Sequence, residues 1–203
     1  MLQLKVCGMR DAQNITDLVA VAPQFMGFIF HKKSPRNITN EVITVPEPIQ
    51  KVGVFVNEPE GFLLDNIERY NFKYIQLHGD ESPLYCKRIR SLNRKIIKAF
   101  NLHEEFDFSI LEAYEPYCEY FLFDSLGPKA GGNGISFNWN ILDQYEGSIP
   151  FFLSGGISPT MVDSIKKIKH PKLAGIDINS AFECSAAIKD INKIKDFKDE
   201  LQH

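Results

Sequence analysis

Short apolar runs alternate along the chain with stretches whose apolar residues recur every three or four positions. The first pattern suits a strand covered on both faces, and the second suits a helix with one buried stripe. Strands are expected at Leu2 to Val6, Phe25 to Phe30, Lys51 to Val56, Tyr74 to Leu77, Lys95 to Phe100, Tyr120 to Phe123, Pro150 to Leu153 and Leu173 to Ile178. Helices are expected from Asp11 or Asn14 to Ala22, from Pro59 through Ile67, from Ser82-Pro83 to Leu92, and over Phe106 to Tyr114. Further helices are expected briefly over Trp139 to Tyr145, from Ser158-Pro159 to Ile168, and from Ile188 to Leu201. Between Asn37 and Pro48, β-branched residues and two prolines leave room only for a shortened second helical segment.

Strand followed by helix, repeated eight times over 203 residues, predicts an α/β fold with a parallel sheet and helices outside it. Eight repeats suggest a closed (β/α)8 TIM barrel in a single domain, at the short end for that fold. An open, doubly wound sheet is the alternative. Its dinucleotide-binding form would place Gly-x-Gly-x-x-Gly after the first strand, and the chain has none there.

The net charge of -3 gives no basic footprint for nucleic acid. No apolar run approaches the ~18 residues of a membrane span, and the chain enters a strand at once, so neither a membrane segment nor a signal peptide is expected. Cys7, Cys86, Cys118 and Cys184 are scattered, with no Cys-x-x-Cys pair. That spacing fits neither a zinc site nor a disulfide scaffold, and a soluble cytoplasmic protein is expected. No apolar stripe stands out as a dimer face, which favours a monomer.

The candidate chemistry gathers at strand ends. Asp124 ends the apolar run from Tyr120 and is followed by a glycine- and proline-rich loop through Gly131, Gly132, Asn133 and Gly134. Such a loop is neither helix nor strand and suits a lid. In a barrel the carboxyl ends of all strands meet at one mouth, where chemistry is done. Gly155 and Gly156 after the seventh strand, with Ser180 after the eighth, suit a phosphate: glycines let backbone N–H groups approach an anion. Cys7 is either core filler or a thiolate base. His78 is either a satisfied core histidine or a substrate contact. Arg36 is either a solvated charge or a planar fork for a carboxylate.

Taken in order, Lys5-Val6-Cys7-Gly8, Ser34-Pro35-Arg36, Val52-Gly53-Val54-Phe55-Val56-Asn57, Gln76-Leu77-His78-Gly79-Asp80, Phe123-Asp124-Ser125 with Gly131 to Gly134, Ser154-Gly155-Gly156-Ile157, and Gly175-Ile176-Asp177 with Ser180 resemble the phosphoribosylanthranilate isomerase family over nearly the whole chain. The resemblance implies a (β/α)8 barrel that needs no metal or coenzyme. It implies a general base at Cys7 and a general acid at Asp124. Arg36 would grip the anthranilate carboxylate, His78 and Asp177 would line the substrate site, and Gly155, Gly156 and Ser180 would hold the phosphate. Three positions depart from the family's habit. Asn133 replaces a threonine in the lid. Asn179-Ser180-Ala181 replaces a run ending in glycine, and Ala181 is expected to weaken one phosphate contact because its methyl group disfavours positive φ. The segment from Asn37 to Gln50 is shorter and less helical than usual.

The implied partner is a small phosphorylated molecule, N-(5-phosphoribosyl)anthranilate. The implied reaction is its Amadori rearrangement, in tryptophan biosynthesis, to 1-(2-carboxyphenylamino)-1-deoxy-D-ribulose 5-phosphate. Two rivals are a sugar-phosphate epimerase barrel, which commonly uses opposed aspartates with histidine ligands for a metal, and a barrel that only binds a phosphorylated ligand. The sequence shows no such ligand set, and the presence of both Cys7 and Asp124 speaks against the second rival.

Overall fold

The computed structural model describes residues 1–39, 41–125 and 139–202. Eight parallel strands close into a barrel in sequence order: β1 (Gln3–Cys7), β2 (Phe25–Ile29), β3 (Gln50–Phe55), β4 (Tyr74–Leu77), β5 (Lys95–Leu102), β6 (Tyr120–Ser125), β7 (Phe151–Ser154) and β8 (Leu173–Ile178). Closure is made by β1 against β8, with Lys5 opposite Asp177. Five α-helices stand among the described residues: α1 (Ala12–Val19), α2 (Glu60–Tyr70), α3 (Pro83–Ser91), α4 (Val162–Lys167) and α5 (Ile191–Gln202). The closed barrel is the architecture expected from the alternating pattern, and the open sheet is excluded.

Side chains in a strand alternate between faces, so every second residue points into the barrel. Phe25, Val52, Val54, Tyr74, Ile97, Leu122 and Phe152 form an inner cluster that also holds Cys7. Its lower part is an aromatic plug: Phe25 meets Tyr74 at 5.0 Å and Phe152 at 5.5 Å, edge to face, the geometry that ring quadrupoles favour. A larger cluster outside the strands, including Phe28, Phe30, Phe121, Phe123 and Phe151, packs against the helices. The same alternation carries Asp124 inward, two residues after Leu122.

The elements between strands depart from the expectation in four places. The segment after β2 has no helix in its described residues; Ile38, Ile43 and Ile49 are buried and cover the strands directly. The helix expected over Phe106 to Tyr114 is instead two 3-10 helices, Phe108–Ala113 and Glu115–Tyr117. Phe108, Leu111 and Tyr114 recur every three residues, the 3-10 repeat, and Pro116 sits in the first turn of the second helix. The stretch Trp139–Gln144 is likewise 3-10. The last helix starts at Ile191 rather than Ile188 because Ile188 and Lys189 are taken into a small antiparallel hairpin, β9 (Glu183–Ser185) with β10 (Ile188–Lys189). Asp190 supplies its cap, accepting from Lys193 N at 3.1 Å.

Caps explain the helices that match. Asp11 accepts from Asn14 N at 2.8 Å and fixes the start of α1, while Ser82 accepts from Tyr85 N and Pro83 occupies the first turn of α3.

Candidate active site

At the carboxyl ends of the strands lies a cavity of about 370 Å³. Cys7, Arg36, His78, Asp124, Gly155, Gly156, Asp177 and Ser180 all line it. The structure thus brings together every site residue expected from the sequence except the lid positions Gly131, Gly132, Asn133 and Gly134, which lie outside the described residues.

The floor of the cavity is charged. Lys5 precedes Cys7 by two residues on β1 and shares its inward face. Its Nζ lies 2.9 Å from Asp177 Oδ2, and both side chains are buried. Burial works against the Lys5 charge, but the neighbouring Asp177 carboxylate and Cys7 sulfur outweigh it and hold its pKa above the ordinary value. For Cys7 the balance runs the other way. Burial pushes the thiol up, and the pull of Lys5 does not fully offset it. Asp177 Oδ1 is buried and has no hydrogen-bond partner among the described residues. An orphaned acceptor at a cavity wall suits a ligand hydroxyl.

A second group forms at the ends of β4 and β6. His78 Nε2 is 3.3 Å from Asp124 Oδ2, and each side chain is about a quarter exposed, at 27% and 22%. Gln76 Nε2 lies 2.6 Å from His78 Nδ1. With this orientation of the amide its N–H donates to Nδ1, which puts the proton of a neutral ring on Nε2, facing Asp124.

On the far side, Arg36 Nε and Nη2 donate to the two oxygens of Glu183, at 2.8 and 2.5 Å. Lys189 Nζ, fully buried, donates to the same carboxylate at 2.7 Å. Burial works to raise Glu183, but bonds from Arg36 and Lys189 prevail and hold it below the usual range.

At the proposed phosphate end, Gly155 and Gly156 have φ of +88° and +64°, a region that other residues enter only under strain. Ser180 opens a 3-10 turn that contains Ala181. Ala181 is not among the positive-φ residues, so positive φ, the ground for expecting a weakened phosphate contact there, does not apply.

Sequence reading missed Lys5, Gln76, Glu183 and Lys189. The first two had a signal: each is polar, within an apolar strand, two residues before a candidate on the same face. Glu183 and Lys189 had none, because nothing in the pattern marked the hairpin. Among the described residues, no group of three or more His, Cys, Asp or Glu is placed to hold a metal ion, and no helix is long and apolar enough to cross a membrane.

A family model described as N-(5'phosphoribosyl)anthranilate (PRA) isomerase matches residues 4–200. The N-(5'-phosphoribosyl)anthranilate isomerase of Parabacteroides distasonis is 41% identical, over 98% of this chain and 93% of its own. A solved structure of monomers generated from the dimeric phosphoribosylanthranilate isomerase of Thermotoga maritima superposes with a TM-score of 0.81 at 26% identity, covering 100% of this chain and 99% of the other. Another phosphoribosylanthranilate isomerase, solved with reduced 1-(o-carboxyphenylamino)-1-deoxyribulose 5-phosphate, gives 0.82 at 27% identity over 100% and 99%. With the barrel, the cavity and these likenesses agreeing from end to end, the chain belongs to the phosphoribosylanthranilate isomerase family.

Proposed function

We propose that this chain, as a single catalytic domain, converts N-(5-phosphoribosyl)anthranilate to 1-(2-carboxyphenylamino)-1-deoxy-D-ribulose 5-phosphate by an Amadori rearrangement. The observation that carries this reading is the joint presence of Cys7, Asp124, Arg36 and the Gly155-Gly156 turn around one cavity.

Asp124 gives a proton to the furanose ring oxygen, and the ring opens to an imine at C1. The imine acidifies the C2 proton, which the Cys7 thiolate removes. The resulting enolamine tautomerises to the ketone. Separate groups serve as acid and base, so neither must play both parts at once. Gly155, Gly156 and Ser180 hold the phosphate and Arg36 the carboxylate. Fixing both ends positions the reacting carbons between acid and base. Asp177 Oδ1, with no partner of its own among the described residues, accepts from a sugar hydroxyl. Lys5 favours the thiolate by placing a buried positive charge beside Cys7.

The working unit is one chain in the cytoplasm, without cofactor. Of the large exposed apolar residues Met1, Val42, Leu84, Leu92 and Ile110, only Leu84 and Leu92 share an element, α3 and its cap, which supports a monomer; sedimentation at working concentration tests it, and a stable dimer removes it. The activity is tested by turnover of the purified protein and by rescue of a strain lacking this isomerase. No turnover and no rescue from well-folded protein would defeat the reading.

A further inference from the structure

The hairpin β9–β10 has no place in a plain strand–helix repeat, yet it carries a carboxylate to the edge of the cavity. Glu183 has 5% of its side chain exposed and accepts four hydrogen bonds: from Arg36 Nε and Nη2, from Lys189 Nζ at 2.7 Å and from Ala187 N at 3.2 Å. Each of those donors is fixed in turn. Lys189 Nζ also donates to Asn179 Oδ1 at 2.7 Å. The Lys189 backbone is held at both ends by Asn14, whose Oδ1 accepts from its N at 2.7 Å and whose Nδ2 donates to its O at 2.9 Å. Ala187 takes φ of +66°, a conformation that costs a non-glycine residue about 1 kcal/mol or more, and in it the N–H reaches Glu183. Gly8 leaves the space: a Cβ there would lie 2.5 Å from Arg36 Cδ and 2.7 Å from Asn179 Oδ1.

The consequence falls on Arg36. A guanidinium has five N–H donors in a rigid fork. Glu183 takes the Nε–Nη2 edge, which leaves the Nη1–Nη2 end for a ligand. The local charge also fits one kind of ligand. Arg36 and Lys189 bring two positive charges and Glu183 one negative, so one positive charge is left over at a cavity wall. That suits a singly charged, planar anion that binds two parallel N–H groups, which is a carboxylate.

Resting on the function proposed above, we infer that Glu183 is a positioning residue that aims Arg36 and sets the preference for a carboxylate at this end of the substrate. The test compares reduced 1-(o-carboxyphenylamino)-1-deoxyribulose 5-phosphate with the same compound lacking its carboxyl group. Affinities of both are measured for the wild type, Glu183→Gln, Glu183→Asp, Arg36→Ala and the Glu183→Gln/Arg36→Ala double variant, each checked for its melting midpoint. Glu183→Gln should weaken the carboxylated compound on the order of tenfold and leave the other nearly unchanged. In turnover it should raise KM more than it lowers kcat. Glu183→Asp, which keeps the charge on a shorter arm, should recover part of the loss and carries the same comparison should the glutamine variant fail to fold. In the Arg36→Ala background the glutamine change should cost nothing further. Equal weakening of both compounds, an undiminished loss without Arg36, or wild-type affinity in Glu183→Gln would overturn the inference and leave the proposed function standing. If Arg36→Ala itself spares the carboxylated compound, the carboxylate does not bind at Arg36, and both readings of this end of the site fall.

Discussion

His78 Nε2 stands 3.3 Å from Asp124 Oδ2. Gln76 Nε2 lies 2.6 Å from the other ring nitrogen, so the imidazole is held between an amide and the carboxylate. In the proposed mechanism His78 orients Asp124 toward the substrate's ring oxygen.

Asp124→Asn keeps the shape and the contact with His78 but has no acidic proton to give. Its kcat/KM should fall by at least about 10²-fold, the lower range for a positioned acid, while inorganic phosphate still binds. A well-folded variant that keeps most of its turnover would remove Asp124 from the mechanism.

As the proposed base, Cys7 should set the pH dependence. A free thiol titrates near 8.5, and burial pushes this one above its ordinary value. A base with a raised pKa is mostly protonated at neutral pH, so kcat/KM should climb as pH rises past neutrality. Cys7→Ser should lose the climb along with at least about 10² in rate. A wild-type profile flat across the alkaline side would show that the thiol is not the base.

The Lys5–Asp177 pair is a test of stability as well as chemistry. Lys5→Met leaves a carboxylate buried without its partner, which typically costs about 3–5 kcal/mol. Urea titration should show that loss. Adding Asp177→Leu should restore much of the stability without restoring turnover, since an apolar pair often matches a buried ion pair. Recovery of both together would mean that neither residue serves the reaction.

Strong acid should loosen the hairpin. Glu183 is held below the ordinary glutamate range in the folded protein, so its contribution is present above the unfolded value of about 4.3 and is lost as pH falls through the folded one. The wild type should therefore lose stability more steeply on acidification than Glu183→Gln, measured as melting midpoint against pH. Parallel slopes would mean that the carboxylate is not paired in solution.

Arg36→Ala should weaken anthranilate-bearing ligands by on the order of tenfold to a hundredfold, since a charged hydrogen-bond partner is lost. Inorganic phosphate should bind as before. Equal weakening would mean that Arg36 acts through the fold.

How much of this was legible beforehand depended on whether neighbours in sequence decide the outcome. Strand alternation is local, so Tyr120 to Phe123 placed Asp124 at the mouth, and the glycine pair after β7 placed its turn. The 3-10 segments were misread as helix because apolar residues at a spacing of three satisfy both patterns over two turns. The Arg36–Glu183 pairing was out of reach. It joins residues 147 apart through a hairpin whose turn has Ala187 where a glycine would have announced it.

The three ties that shape the floor and far wall of the site span nearly the full chain: Lys5 to Asp177, Asn14 to Lys189 and Arg36 to Glu183. A ribosome delivers these partners at opposite ends of its work. Through most of synthesis the nascent chain holds Cys7 and Arg36 without Asp177 and Glu183, so the site described here can close only once the last strand and its hairpin have emerged. A chain cut short before β8 would lack all three of these ties.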